Sequence, residues 1–85
     1  MNNEVARAEV LEAVLAERER QVELWGRQLH HPDYWWYIIA SEEHGEVATA
    51  IYEQDGENLM QEIIQTCAVY FAWAEAILSR DDDRK

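Results

Sequence analysis

Apolar residues return at intervals of three and four along most of the chain, and its few glycines and single proline cut the pattern into three stretches. From Asn3 to Trp25, the residues Val10, Leu11, Val14, Leu15, Val22 and Trp25 recur at helical spacing, while Glu17, Arg18, Glu19 and Arg20 read as a solvated charged stretch. Gly26 is a natural helix stop. "RQLHHPD" follows as a connector broken by Pro32, with Asp33 placed to cap the next helix. That helix spans Tyr34 to Gln54 and ends at the turn signal "DGE", where Asp55 and Gly56 supply the turn chemistry. A third helix runs from Glu57 to Ser79, and the "DDDRK" tail, 81–85, is expected to fray. Alternation of period two is missing even across 34–39, where Tyr, Trp and Ile are frequent, so no strand is expected. The pattern predicts an all-α fold with a single helical domain over residues 1–80.

The faces of these helices matter more than their ends. At about 100° per residue, Trp36, Ile39, Ala40, Val47, Ala50 and Ile51 share one arc of the second helix, its expected core face. Glu43 falls inside that arc, Glu46 lies at its edge and Glu42 just beyond; His44 projects away from the acidic face. Gly45, which costs roughly 1 kcal/mol in a helix interior, reads either as a tolerated glycine or as a point of close helix approach. On the third helix Leu59, Ile63, Cys67, Tyr70, Ala74 and Ile77 make one stripe, and Val69, Ala72, Trp73 and Ala76 make another. Glu62 and Gln65 extend the second stripe toward the N-terminal end. A helix apolar on two sides calls for an oligomer of antiparallel helices, a homodimer or homotetramer.

Composition narrows the function. A domain of 85 residues is too short for a large private core and often leans on a metal, a disulfide or a partner subunit. Cys67 is the only cysteine, so no intrachain disulfide forms; its apolar surroundings suggest a buried, inert thiol and suit a reducing cytoplasm. A net charge of -11, from 18 acidic against 7 basic residues, argues against a nucleic-acid partner, which needs a basic face. Glu4, Arg7 and Glu9 interrupt any leader-like apolar run, and no stretch of ~20 apolar residues could span a bilayer. The expectation is a soluble cytoplasmic protein with no membrane contact.

Carboxylates aimed into apolar surroundings need protons or cations to offset a desolvation cost of several kcal/mol per ion. Hard oxygen ligands from two facing helices suit Mg²⁺ or Mn²⁺, whose shells are completed by water and phosphate oxygens, so the cluster suggests phosphate chemistry. The alternative places these acids on the solvated edge of a bundle, paired with arginines. Against it stands a shortage of partners, because only Arg27 lies near the middle of the chain.

These residues resemble the MazG-like all-α nucleoside triphosphate pyrophosphohydrolases, whose signature is E-E-x-x-E on one helix and E-x-x-D on the next. The first half is complete as Glu42, Glu43 and Glu46; the second reads "EIIQ", Glu62 to Gln65. Short bacterial and phage-type members also carry a pattern similar to "QxxxWGxQxH", here Gln21, Trp25, Gly26, Gln28 and His30. The resemblance implies Mg²⁺-dependent cleavage of a nucleoside triphosphate to the monophosphate and pyrophosphate. Glu43, Glu46 and Glu62 would be the core metal ligands, and Glu42 would bind a second ion or orient the attacking water. Gln65 stands where the family has Asp, and can coordinate through its carbonyl but adds no charge. It motivates a second reading, a weak or inactive relative that binds a nucleotide or a protein partner; a purely structural helical oligomer is a third.

Among the remaining candidates, Trp25 adjoins the polar connector and could stack a base, whereas Trp35, Trp36 and Trp73 read as core or subunit interface. Arg27 is the candidate triphosphate contact by elimination, with Gln28 and His30 as further candidate substrate contacts. His31 has the same possible role or is simply exposed, and Glu12, Glu17 and Glu19 need no special function.

Overall fold

The computed structural model describes residues 1–83 and consists of three helices: α1 (Asn3–Trp25), α2 (Asp33–Tyr52) and α3 (Gly56–Asp83). Local chemistry accounts for their ends. The Asn2 side chain accepts from the Val5 amide at 2.9 Å and opens α1. Gly26 closes it with a φ of 76°, a conformation that favours glycine, while its amide returns to the Val22 carbonyl. Asp55 accepts from the Asn58 amide at 3.2 Å and starts α3.

Two expectations at the ends are corrected. Pro32, with an extended backbone, occupies the cap position of α2, and Asp33 is already inside the first turn. Its carboxylate instead accepts from Trp73 Nε1 at 2.9 Å and from Arg80 at 2.7 Å, joining the start of α2 to α3. In addition, α3 continues to Asp83 where Ser79 was the expected end; the last two residues of the expected tail lie outside the described residues.

Helix α3 is the central element. It packs against both α1 and α2, whereas among the described residues α1 and α2 make no comparable contact with each other. Between α2 and α3 the core comprises Trp36, Ala40, Val69, Ala72 and Ala76, flanked by half-buried Leu29, Trp35, Ile39 and Trp73. Alanine facing alanine brings the two helices together closely, and Trp36 fills the space beside them. The inward stripe of α3 is therefore Val69, Ala72, Trp73 and Ala76. Its other stripe faces out, with Ile63, Tyr70 and Ile77 about 40% exposed and the Cys67 thiol exposed instead of buried.

Several expected core positions are likewise at the surface. Ile51 on α2 and Val10, Leu11, Leu15 and Trp25 on α1 are exposed, because α1 meets only α3 and presents one narrow strip to it. Its most buried members are polar: Arg18 and Gln21, in a segment expected to be solvated, with Val14 and Val22 half-buried. Arg18 donates to Glu75 at 2.7 Å and to the Arg27 carbonyl at 3.2 Å, so one guanidinium ties α1 to α3 and to the connector. No helix among the described residues is long and apolar enough to cross a membrane.

Candidate functional site

Because α1 and α2 both pack on α3 and not on each other, a cavity of about 410 Å³ opens between them. Glu17, Arg18, Arg20, Gln21 and Trp25 form its α1 wall, and Gly26, Arg27 and Gln28 close one end. Trp35, Trp36, Ile39, Glu42 and Glu43 form the α2 wall, above a floor of Gln65, Val69 and Ala72. The volume is that of a small-molecule site, and six of its sixteen lining residues are charged, three acidic and three basic. At 1.5 Å per helical residue, the eight-residue step from Trp35 to Glu43 separates the aromatic end from the carboxylate end by about 12 Å.

The connector is held firmly at the aromatic end. Gln28 adopts a φ of 60°; its amide nitrogen donates to the Trp25 carbonyl and its oxygen meets His31 Nε2 at 2.5 Å. The His31 ring stacks on Trp35 with centroids 3.6 Å apart, and Trp35 meets Trp36 edge to face at 4.9 Å. Burial, followed by the neighbouring His30, lowers the His31 pKa. Trp25, Arg27 and Gln28 thus border the cavity as candidates for ligand contact. His30 does not; it lies with His31, Asp33 and Arg80 along a separate groove near the C-terminal end of α3.

At the opposite end the carboxylates gather. Glu43 on α2 and Glu62 on α3 each bury one oxygen, Oε2, that has no hydrogen-bond partner. Burial first, and then the charges of Glu62, Glu46, Glu17 and Glu42, push the Glu43 carboxyl above its ordinary value. Glu42 and Glu46 are exposed flankers of this pair. Gln65, one turn from Glu62, lines the cavity floor. His44 is turned to another face, 3.1 Å from the Tyr70 hydroxyl. Gly45 is not a point of close approach, since a Cβ added there would meet nothing within 4 Å.

Glu17 is the member that sequence reasoning set aside. It lines the cavity opposite Glu42 and Glu43, and its side chain is 12% exposed. Arg20 donates to both of its oxygens at 2.8 Å and Gln21 to one at 3.1 Å. The Arg20 hydrogen bond holds the Glu17 carboxyl below its usual value, against an opposing effect of burial. The signal available was the position of Glu17 one turn before the Gln21–Trp25 pattern, on the same face as Gln21. Arg18, Arg20 and Arg27 also answer the expected shortage of cations: three of the chain's seven basic residues border this one cavity.

The donor set can be compared with a divalent ion. Among the described residues no three Asp, Glu, His or Cys side chains converge as a ready-made cage. Mg²⁺ requires less, commonly one or two carboxylates with water and phosphate oxygens completing its shell. The unpartnered oxygens of Glu43 and Glu62 fit that mode of binding. No family model, no curated protein and no solved structure matches the chain.

Proposed function

We propose that the chain is a divalent-cation-dependent nucleotide pyrophosphohydrolase, converting a nucleoside triphosphate and water to the monophosphate and pyrophosphate. The observation that carries the reading is the pair of buried, unpartnered carboxylate oxygens of Glu43 and Glu62, beside a cavity bordered by tryptophans and arginines. A bound Mg²⁺ or Mn²⁺ supplies Lewis acidity toward phosphoryl oxygens and lowers the pKa of water. Glu43 and Glu62 would hold it, with Glu46 and Gln65 beside them, while Glu42 would orient the attacking water or hold a second ion. Trp25 and Trp35 offer aromatic surface to a base at the other end, where Arg27 and Gln28 present polar groups.

A second reading keeps the cavity and drops the turnover. It is favoured by Gln65, a neutral amide on the floor where the E-x-x-D pattern has a carboxylate. Under either reading the outward stripe of α3, with Ile63, Tyr70 and Ile77, is the surface that a second copy of the chain covers in a homodimer or homotetramer.

A panel of canonical and modified NTPs and dNTPs, incubated with Mg²⁺ or Mn²⁺, distinguishes the readings through nucleotide separation and pyrophosphate detection. Monophosphate plus pyrophosphate, lost in both Glu46→Gln and Glu62→Gln, is the expected result. A nucleotide-dependent rise in melting temperature without turnover would favour the binding reading. Neither turnover nor a thermal shift would overturn both.

A further inference from the structure

We propose that the indole N–H of Trp36 reads a carbonyl oxygen of the ligand, so that the cavity favours nucleotides whose base carries a ring carbonyl over those of adenine. The inference rests on the nucleotide reading of the cavity and deepens it; it does not depend on the cation.

Among the described residues Trp36 is the only buried aromatic side chain, at 4% exposure. It belongs to the core between α2 and α3 and also lines the cavity. Its ring meets Trp35 edge to face, yet its Nε1 is closed off from solvent and has no hydrogen-bond partner. A buried indole N–H usually finds an acceptor, because the hydrogen bond it gave up to water has to be replaced. Packing alone calls for an aromatic ring without a donor, such as phenylalanine, which buries no polar group. The orphaned N–H is therefore explained by an acceptor that arrives with the ligand.

Its place along α2 selects the kind of acceptor. Trp36 adjoins Trp35 at the aromatic end, whereas Glu43 lies seven residues further on, about 10 Å along the helix. A group within reach of Nε1 thus belongs to a ring stacked on Trp25 or Trp35, and not to phosphates gathered near the carboxylates. Gln28, a neutral side chain at the same end, already engages the Trp25 carbonyl and His31. A neutral donor in apolar surroundings suits a neutral carbonyl, while the arginines that border the cavity suit phosphate. Uracil, thymine, cytosine and guanine carry a ring carbonyl; adenine does not. The carbonyl reaches Nε1 by shifting the half-buried Trp35 or Ile39, which pack against the same core. A base without that oxygen leaves the donor unpaired, which is how a buried polar group rejects an analogue.

The test is a ¹H–¹⁵N NMR titration of the full chain with the α,β-imido analogues of dUTP and dATP, which resist cleavage, following the indole N–H signals of the four tryptophans. Trp36→Phe identifies the signal of Trp36 by its loss, and far-UV circular dichroism checks that the variant keeps its helices. The Trp36 signal is expected to move downfield with the uracil analogue and to stay in place with the adenine analogue. The uracil analogue should bind about tenfold more tightly than the adenine analogue, the scale of one hydrogen bond to a buried donor, and Trp36→Phe should abolish that preference. Should the variant fail to fold, the signals of the parent chain decide alone. Movement of the Trp25 or Trp35 signal with the Trp36 signal unmoved would overturn the proposal and leave the nucleotide reading standing, since the N–H would then rest on the face of Trp35. Equal weakening of both analogues in Trp36→Phe would also overturn it, as that reports lost packing. Binding of neither analogue, with no turnover in the nucleotide panel, would remove the nucleotide reading and this inference with it.

Discussion

Replacing Glu43 by Gln should make the protein more stable in EDTA at pH 7 and less responsive to divalent ions. The Glu43 carboxyl is pushed upward by burial and by Glu62, Glu46, Glu17 and Glu42, so the folded state disfavours its ionised form. The sign follows from linkage: a carboxyl with a raised folded pKa contributes most below its unfolded value near 4.5, and that contribution is lost as pH rises through the folded value. Glutamine removes the penalty while keeping the side-chain volume. Since the group is only partly buried and screened, relief of about 0.5–1 kcal/mol is a reasonable scale. For a domain of this length that corresponds to a rise in Tm of roughly 2–8 °C. Divalent ions act in the opposite sense. At a concentration five times Kd they stabilise the parent by about 1 kcal/mol through mass action, and the variant by less. Differential scanning fluorimetry in EDTA and in MgCl₂, at pH 7 and pH 4.5, should show the variant's advantage at pH 7 in EDTA, shrinking at the lower pH and narrowing or reversing with Mg²⁺. A lower Tm for Glu43→Gln in EDTA at pH 7 would refute the reasoning, because it would mean that the ionised carboxylate is stabilised in the fold.

Other expectations follow from the packing and from Gln65. Arg18→Met removes a buried cation that ties α1, the connector and α3, and should cost about 1–3 kcal/mol in urea denaturation, with a parallel loss of cavity ligand binding. Ala72→Leu forces a larger side chain between α2 and α3, where Ala72 is 1% exposed, and should destabilise by about 1–3 kcal/mol. Gln65→Asp adds a charge one turn from Glu62, and should tighten Mn²⁺ binding, with free ion measured by electron paramagnetic resonance, while lowering Tm in EDTA.

The helices and the inward stripe of α3 were legible because periodicity reports directly on burial when a helix packs along its length. Glu43 and Glu62 were legible for the same reason, as acids on otherwise apolar arcs. What periodicity could not convey was where α1 makes contact. Its apolar residues suggested an apolar face, yet its two most buried residues are Arg18 and Gln21, with Val14 and Val22 only half-buried, and Arg18 joins α3 through an ion pair. Glu17 was overlooked with them, because a run of alternating charges on one helix looks solvated until a second helix covers part of it. Asp33 carried a capping signal that the backbone did not use, as Trp73 and Arg80, 40 and 47 residues away, compete for its carboxylate. Long-range partners of this kind leave no local trace.

The narrow attachment of α1 implies a steep gradient of protection against solvent exchange. Between Asn3 and Glu12 only Ala6 is even partly buried, so the outer turns have little beyond their own hydrogen bonds to resist opening. Amide protons there should exchange quickly, whereas those around Arg18 and Gln21 wait for larger openings. The position along α1 at which deuterium uptake slows therefore serves as a gauge of assembly: if a second copy covers the outer turns, the boundary should move toward Asn3 as protein concentration rises.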